Sequence, residues 1–175
     1  VDTSFTRRMD LMLLCPVKDI IHADTGKINR SMYRLLHKLV KAYRTTLIFT
    51  NTRSGAERVT YHLEKLFLRG KDEGVATHHG SLSREVRIGV EDNLKDGKLK
   101  FVVSSTSLEL GIDIGYIDLV AQIGSPKSIA RCIQRTGRAG HALDRVAIGK
   151  NLAMDRDDLV ECAVMLKEVY KGNID

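Results

Sequence analysis

Residues 46–68 read TLIFTNTRSGAERVTYHLEKLFL. Thr46–Thr50 is a short, continuous apolar run of β-favouring side chains. From Ser54 the period changes, and Val59, Leu63, Leu66 and Phe67 recur at helical spacing. That pattern predicts an amphipathic helix over Ser54–Leu68. An apolar strand passing through a few polar residues into a helix is the building unit of an α/β fold.

The alternation continues in both directions. Downstream, strands are predicted at Gly74–His78, Lys100–Ser104, Ile117–Ile123 and Val146–Ala153. Helices are predicted at Ser83–Lys95, opened by Ser83 as its cap, at Ser128–Arg138 and at Asp155–Tyr170. The last has acids in its first turn and Lys167 near its end, which suits the helix dipole. Upstream, Leu11–Cys15 reads as an additional strand and Ser31–Tyr43 as a helix. Ile21–Asn29 is the best candidate for a flexible connection. Strands that are continuously apolar fit a mostly parallel sheet covered on both faces. The expected organisation is a lead-in over 1–45, a core over 46–154 and a closing helix over 155–175.

Composition bounds the function. At 175 residues the chain is long enough for one compact domain with its own core. Apolar residues make up 43% and charged residues 29%, with only two Pro, which excludes an intrinsically disordered chain. No apolar run approaches a membrane span. The chain begins without Met and without a secretory apolar core, and is read as a piece of a longer protein. Cys15, Cys132 and Cys162 are odd in number and widely spaced. They are expected to be buried and structural, in a reducing, cytoplasmic setting, with no metal site. Lys plus Arg outnumber Asp plus Glu by 28 to 22, so a polyanionic partner is favoured. Aromatics are scarce, at five Tyr, four Phe and no Trp, so contacts with nucleic acid should run through phosphates.

In an open parallel sheet, ligands sit at the carboxyl ends of the strands. The residues there are Thr50–Gly55, His78–Ser81 and Ser104–Ser107, all small, hydroxylic or basic. One such loop would read as ordinary helix capping. Three on one edge favour phosphate contact through backbone N–H groups and hydroxyls. His79 is read as a hydrogen-bonding loop residue. Gln134–His141, QRTGRAGH, places Arg135 and Arg138 three apart beside Gly137 and Gly140. One helical face is expected to present both guanidiniums, whose planar forks suit triphosphate oxygens. The competing reading is a solvated basic helix end.

Other motifs are missing from the sequence. Gly26, Gly70, Gly97 and Gly149 each precede Lys, but Ile28, Asp72, Leu99 and Asn151 follow where a P-loop needs Ser or Thr. The Asp72-Glu73 pair lies in a charged loop and not at a strand end. No GxGxxG occurs, which disfavours a dinucleotide-binding domain.

Four segments together resemble a family. Thr46–Glu57 (TLIFTNTRSGAE), His79–Arg87 (HGSLSREVR), Val102–Gly115 (VVSSTSLELGIDIG) and Gln134–His141 are similar, in order and spacing, to motif IV, the histidine-glycine element, motif V and motif VI of superfamily 2 helicases. With Asp155–Glu161, they resemble the large helicase-related (Lhr) group of ATP-dependent DNA helicases. The resemblance implies a RecA-like, P-loop NTPase-type parallel sheet flanked by helices and lacking its own P-loop. It would be the second half of a two-domain motor. ATP and Mg2+ would be held mainly by a preceding RecA-like domain, with none bound by this chain alone. The resemblance implies that Arg135 and Arg138 reach the γ-phosphate and that Gln134 senses the nucleotide or the attacking water. It assigns Gly111, Asp113 and Gly137 to nucleotide binding and coupling. Thr50, Asn51, Arg53, His79, Gly80, Ser105 and Thr106 would track single-stranded DNA, or RNA, with 3′-to-5′ movement. Downstream domains of the same protein are further implied partners. His141 stands where the family often has Arg. A stand-alone nucleic-acid-binding or protein-interaction module without ATPase is the competing reading. A small phosphate-binding enzyme lacks a supported nucleophile–base pair.

Overall fold

A computed structural model describes residues 8–67, 74–109, 113–140 and 146–173. In chain order the elements are β1 (Met9–Leu14), α1 (Thr25–Ala42), β2 (Thr46–Phe49), α2 (Arg53–Phe67), β3 (Val75–His78), α3 (Arg84–Lys95), β4 (Phe101–Ser104), β5 (Leu119–Ile123), α4 (Ile129–Thr136), β6 (Ala147–Leu152) and α5 (Arg156–Lys171). The six strands form one sheet in the order β1-β6-β5-β2-β4-β3. Every pair is parallel, with Leu47 of β2 opposite Val102 on one side and Val120 on the other. The α/β reading of the sequence is therefore the observed architecture.

The four residues of β2 and the four of β4 are all buried. Their side chains alternate between two cores, as a period of two requires. Ile48, Phe101, Val103 and Ala121 pack beneath Met32, Leu36 and Val40 of α1 and Val59 and Leu63 of α2. Leu47, Phe49, Val102 and Val120 face the other way, against Leu94 of α3, Leu108, Ile114, Ile117 and Ala139. A third cluster joins Leu11 of β1 to Cys132 of α4 and Met165 and Leu166 of α5. Gly149 of β6 lies directly under α4. A methyl group there would sit 2.8 Å from Thr136 Cγ2 and 2.7 Å from Leu11 Cδ2, closer than real contacts allow. At the β1 edge, the Tyr170 hydroxyl accepts from the Leu11 N–H at 2.9 Å and donates to the Leu11 carbonyl at 2.8 Å.

The structure departs from the sequence reading in four places. The stretch expected to be flexible, Ile21–Asn29, contains the start of α1. The Asp24 carboxylate caps it by accepting from the Lys27 N–H at 2.9 Å, and Ile28 adds one more buried turn to the Met32, Leu36, Val40 stripe. At the other end, α4 stops at Thr136 and leaves Arg138 in a turn. The Gly137 N–H reaches back to Ile133 O, and Gly140, at φ 65°, ties to Ile117 O at 2.8 Å. Leu66 is exposed, so of the apolar residues expected on one face of α2 only Val59, Leu63 and the partly buried Phe67 meet the core. Cys132 and Cys162 are buried as expected, but Cys15 is exposed, because it follows β1 into a loop and turns its thiol to Val17 O. Among the described residues, no helix is long and apolar enough to cross a membrane.

His78 ends β3 as a buried side chain. Its ring nitrogens lie 2.6 Å from Ser107 Oγ and 3.0 Å from Glu91 Oε1. Burial pulls its pKa below the ordinary imidazole value, and Glu91 only partly offsets this. A proton is therefore taken up by the unfolded chain at a pH where the folded chain still refuses it.

Two outcomes follow from this packing. Stability should fall as pH drops from about 6.5 through the lowered folded pKa. Urea unfolding of His78→Gln should show a flatter pH dependence across that window. Leu36→Ala removes a fully buried side chain from the α1 stripe, and urea unfolding should show a loss of about 2–5 kcal/mol.

Candidate nucleic-acid and nucleotide interface

The loops after β2, β3, β4 and β5 meet along the carboxyl edge of the sheet, and polar bonds join them there. After β2, the Thr50 hydroxyl donates to Thr52 O at 2.8 Å, and the Thr52 hydroxyl accepts from the Gly55 N–H, which starts α2. Arg53 is exposed in the first turn of α2 and donates to Ser81 Oγ at 2.6 Å, bridging to the loop after β3. In that loop His79 is buried. Its Nε2 lies 2.5 Å from Glu57 Oε1, and its Nδ1 accepts from the Ser81 N–H. Gly80 is exposed between them. Ser105 is buried after β4, whereas Thr106 is exposed.

The seven residues expected to track a strand therefore share one edge but differ in what they offer. Asn51, Arg53, Gly80 and Thr106 are exposed. Thr50, His79 and Ser105 are buried, so they shape the edge from beneath.

The arginines of the last motif occupy different settings. Both were expected on one presented helical face. Arg135 instead turns inward and is 1% exposed. Its Nε and Nη2 donate to Glu109 Oε2 at 3.0 and 2.9 Å, and its Nη1 donates to Gln122 Oε1 at 2.5 Å. The guanidinium also lies 4.9 Å from the centre of the Phe49 ring. The cause lies in the helix: α4 packs on β5 and β6, and position 135 falls on its buried side beside Cys132. Burial lowers the Arg135 pKa from its ordinary value, and Glu109 acts against that.

Arg138 lies beyond the helix end and is half-buried. Its Nε and Nη2 donate to the Glu109 carbonyl at 3.3 and 3.0 Å. Burial lowers its pKa as well. Gln134 is exposed on α4, and Gly137 closes the helix. Asp113 is exposed and accepts from the Gly115 N–H at 3.1 Å. Gly111 and His141 lie outside the described residues.

Glu109 was not singled out in the sequence, yet it holds both arginines. Its carboxylate takes Arg135 and also Arg131 (3.2 Å), while its main chain takes Arg138. Glu109 and Asp113 are the two acids in the otherwise apolar and small VVSSTSLELGIDIG, and an acid there was the available signal. The network runs on. Asn51 accepts from Arg135 at 3.4 Å and donates to Ser125 O at 2.8 Å, and the Ser125 N–H donates to Asp158 Oδ1 at 2.9 Å. Gly124, at φ 74°, turns the chain there, and a side chain on it would press on Asp158. Among the described residues, no group of three or more His, Cys, Asp or Glu could hold a metal.

Comparison with known proteins places this edge in a family. The model of the helicase conserved C-terminal domain matches residues 28–142. The ATP-dependent helicase Lhr-Core of Methanothermobacter thermautotrophicus is 53% identical over all of this chain, which covers 20% of that protein. The structure of Mycobacterium smegmatis helicase Lhr bound to ssDNA and AMP-PNP superposes with a TM-score of 0.90 at 37% identity, covering 97% of this chain and 22% of that one. The C-terminal domain of the DEAD-box protein Dbp5, at 20% identity and a TM-score of 0.69, shares the fold over 97% of this chain and 88% of its own. The chain thus spans about a fifth of the length of its Lhr relatives. With an all-parallel RecA-like sheet and a family match over more than half its length, this chain belongs to the helicase conserved C-terminal domain family.

Proposed function

We propose that this chain is the second motor domain of an ATP-dependent superfamily 2 DNA helicase or translocase of the Lhr type. It would meet ATP held by a preceding P-loop domain and grip one strand of DNA along its own sheet edge. The observation that carries this reading is Glu109. Within the loop after β4, Thr106 faces outward at the strand-tracking edge, and three residues later Glu109 holds both arginines of the last motif.

The chain's own groups fit a shared nucleotide site and not a complete one. The sequence has no P-loop, and Mg2+ would be held by the preceding domain. When bound, ATP supplies a γ-phosphoryl group whose developing negative charge a guanidinium stabilises. Arg138 is the cation for that role, because it sits in a turn beyond α4 with its guanidinium only half withdrawn from solvent. Gln134 and Asp113 are exposed polar groups available to the same nucleotide. Arg135 acts by position: it fixes α4 against Glu109 and so fixes where the Arg138 turn begins. On the strand side, Asn51, Arg53 and Thr106 meet phosphates, while His79, paired with Glu57, holds the loop that presents Gly80 and Ser81.

Coupling then has a physical route. A strand that displaces the loop after β4 moves the Glu109 carbonyl on which Arg138 rests. The converse also holds, since an energetic link between two sites is reciprocal. Directional stepping requires that the grip on DNA differ between the closed and open states.

A helicase polypeptide that includes this domain should hydrolyse ATP faster with single-stranded DNA than without. Arg138→Ala in it should reduce that hydrolysis by about 10³-fold or more, with oligonucleotide affinity close to wild type. Hydrolysis at the wild-type rate would overturn the assignment. Absence of stimulated hydrolysis even in the unaltered polypeptide would leave a binding module without ATPase. Arg135→Ala should behave differently, because it leaves the buried Glu109 carboxylate with only the partly exposed Arg131. Urea unfolding should show a loss of about 3–5 kcal/mol, against a much smaller loss for Arg138→Ala.

A further inference from the structure

The helical face formed by α1 and α2 has a feature that the sheet-edge reading leaves unused. A depression begins at Thr50–Thr52, in the loop after β2, and is walled by Asn29, Tyr33 and Arg58. Tyr33 also lines an adjoining depression with Arg30, Arg34, His62 and Lys65. Together they make a groove that leaves the candidate strand-tracking edge and runs between the two helices.

The groove is strongly basic. Arg30 and Arg34 of α1 and Arg58 and Lys65 of α2 line it, all exposed, and α1 has no Asp or Glu in its 18 residues. They stand apart from the buried Met32 and Leu36 of α1 and Val59 and Leu63 of α2. From Arg58 to Lys65 the cations extend about 10 Å along α2. Among the described residues none of the four has an acidic partner. Unpaired cations aligned in this way repel one another, and a polyanion would remove that cost. The groove floor offers more than charge, because the Tyr33 and His62 rings lie with centroids 4.5 Å apart. Flat rings between cations suit a base stacked beside its phosphates.

We infer that the groove between α1 and α2 takes the single strand onward from the sheet edge, with phosphates on Arg30, Arg34 and Lys65 and a base against Tyr33 and His62. This rests on the reading of the edge as a DNA-tracking surface and lengthens it. A groove with cations spread over about 10 Å accommodates a few nucleotides.

The test uses the helicase polypeptide carrying this domain, with fluorescent oligothymidylates titrated at several salt concentrations. One oligonucleotide is short enough for the edge alone, and the other is a few nucleotides longer. The triple variant Arg30→Gln, Arg34→Gln, Lys65→Gln should bind the short oligonucleotide as wild type does. It should bind the long one at least about tenfold more weakly, with the log–log salt slope reduced by about 2, or 0.7 for each of three lost phosphate contacts. Arg53→Gln, at the edge, should weaken both lengths. If the triple variant binds the long oligonucleotide with wild-type affinity and slope while Arg53→Gln weakens both, the groove is not a strand path and the edge reading stands. Equal weakening of both lengths by the triple variant would reduce the effect to general electrostatics and overturn the path. If neither variant changes binding, the edge reading fails together with the groove.

Discussion

A guanidinium removed from water is costly unless every donor finds an acceptor, and Arg135 is buried at the centre of this domain. Glu109 neutralises it, Gln122 and Asn51 take its remaining fork, and Phe49 lies against it. Those partners come from the loop after β4, from β5 and from the loop after β2. The charge can be accommodated only when these parts and α4 are in register. Ser125 and Asp158 extend the same constraint to the start of α5. The low dielectric that makes an unpaired member expensive also makes the completed network rigid. The carboxyl edge of the sheet is thus assembled around an internal charge, and its outward groups inherit their positions from it.

That arrangement divides the conspicuous residues of the edge into two kinds. Arg53, Gly80 and Thr106 face outward, while Thr50, His79 and Ser105 face in and hold the turns that present them. Hydroxyls and imidazoles suited to phosphate are equally suited to orphan backbone groups at strand ends, so residue type alone does not separate the two uses. Arg138 falls between the two kinds. It is anchored through the Glu109 carbonyl and placed just past the end of α4.

Much of this was legible in the residues. Strand and helix order follow from a change of hydrophobic period, and β2, β4 and β5 stand out because a sheet covered on both faces leaves no polar alternation. Ser83 and Asp155 mark their helix starts by their capping side chains. The direction of the Arg135 side chain was not legible. A spacing of three puts two arginines near one face only while the helix lasts, and α4 ends between them. Nor does a carboxylate in an apolar run announce its partner, which lies 26 residues away along the chain. The start of α1 was hidden by Thr25-Gly26, which reads as a loop until Asp24 is seen to cap it and Ile28 to bury.

The Tyr170 hydroxyl on the Leu11 peptide group answers a hazard that every open sheet carries. Among the described residues β1 is an outermost strand, with no strand paired to one side of its backbone. Such a border invites another chain to add itself by main-chain pairing. A single phenol from α5 occupies both the donor and the acceptor at the midpoint of that border. The last helix therefore acts as a selvedge, keeping the sheet from lengthening into an aggregate.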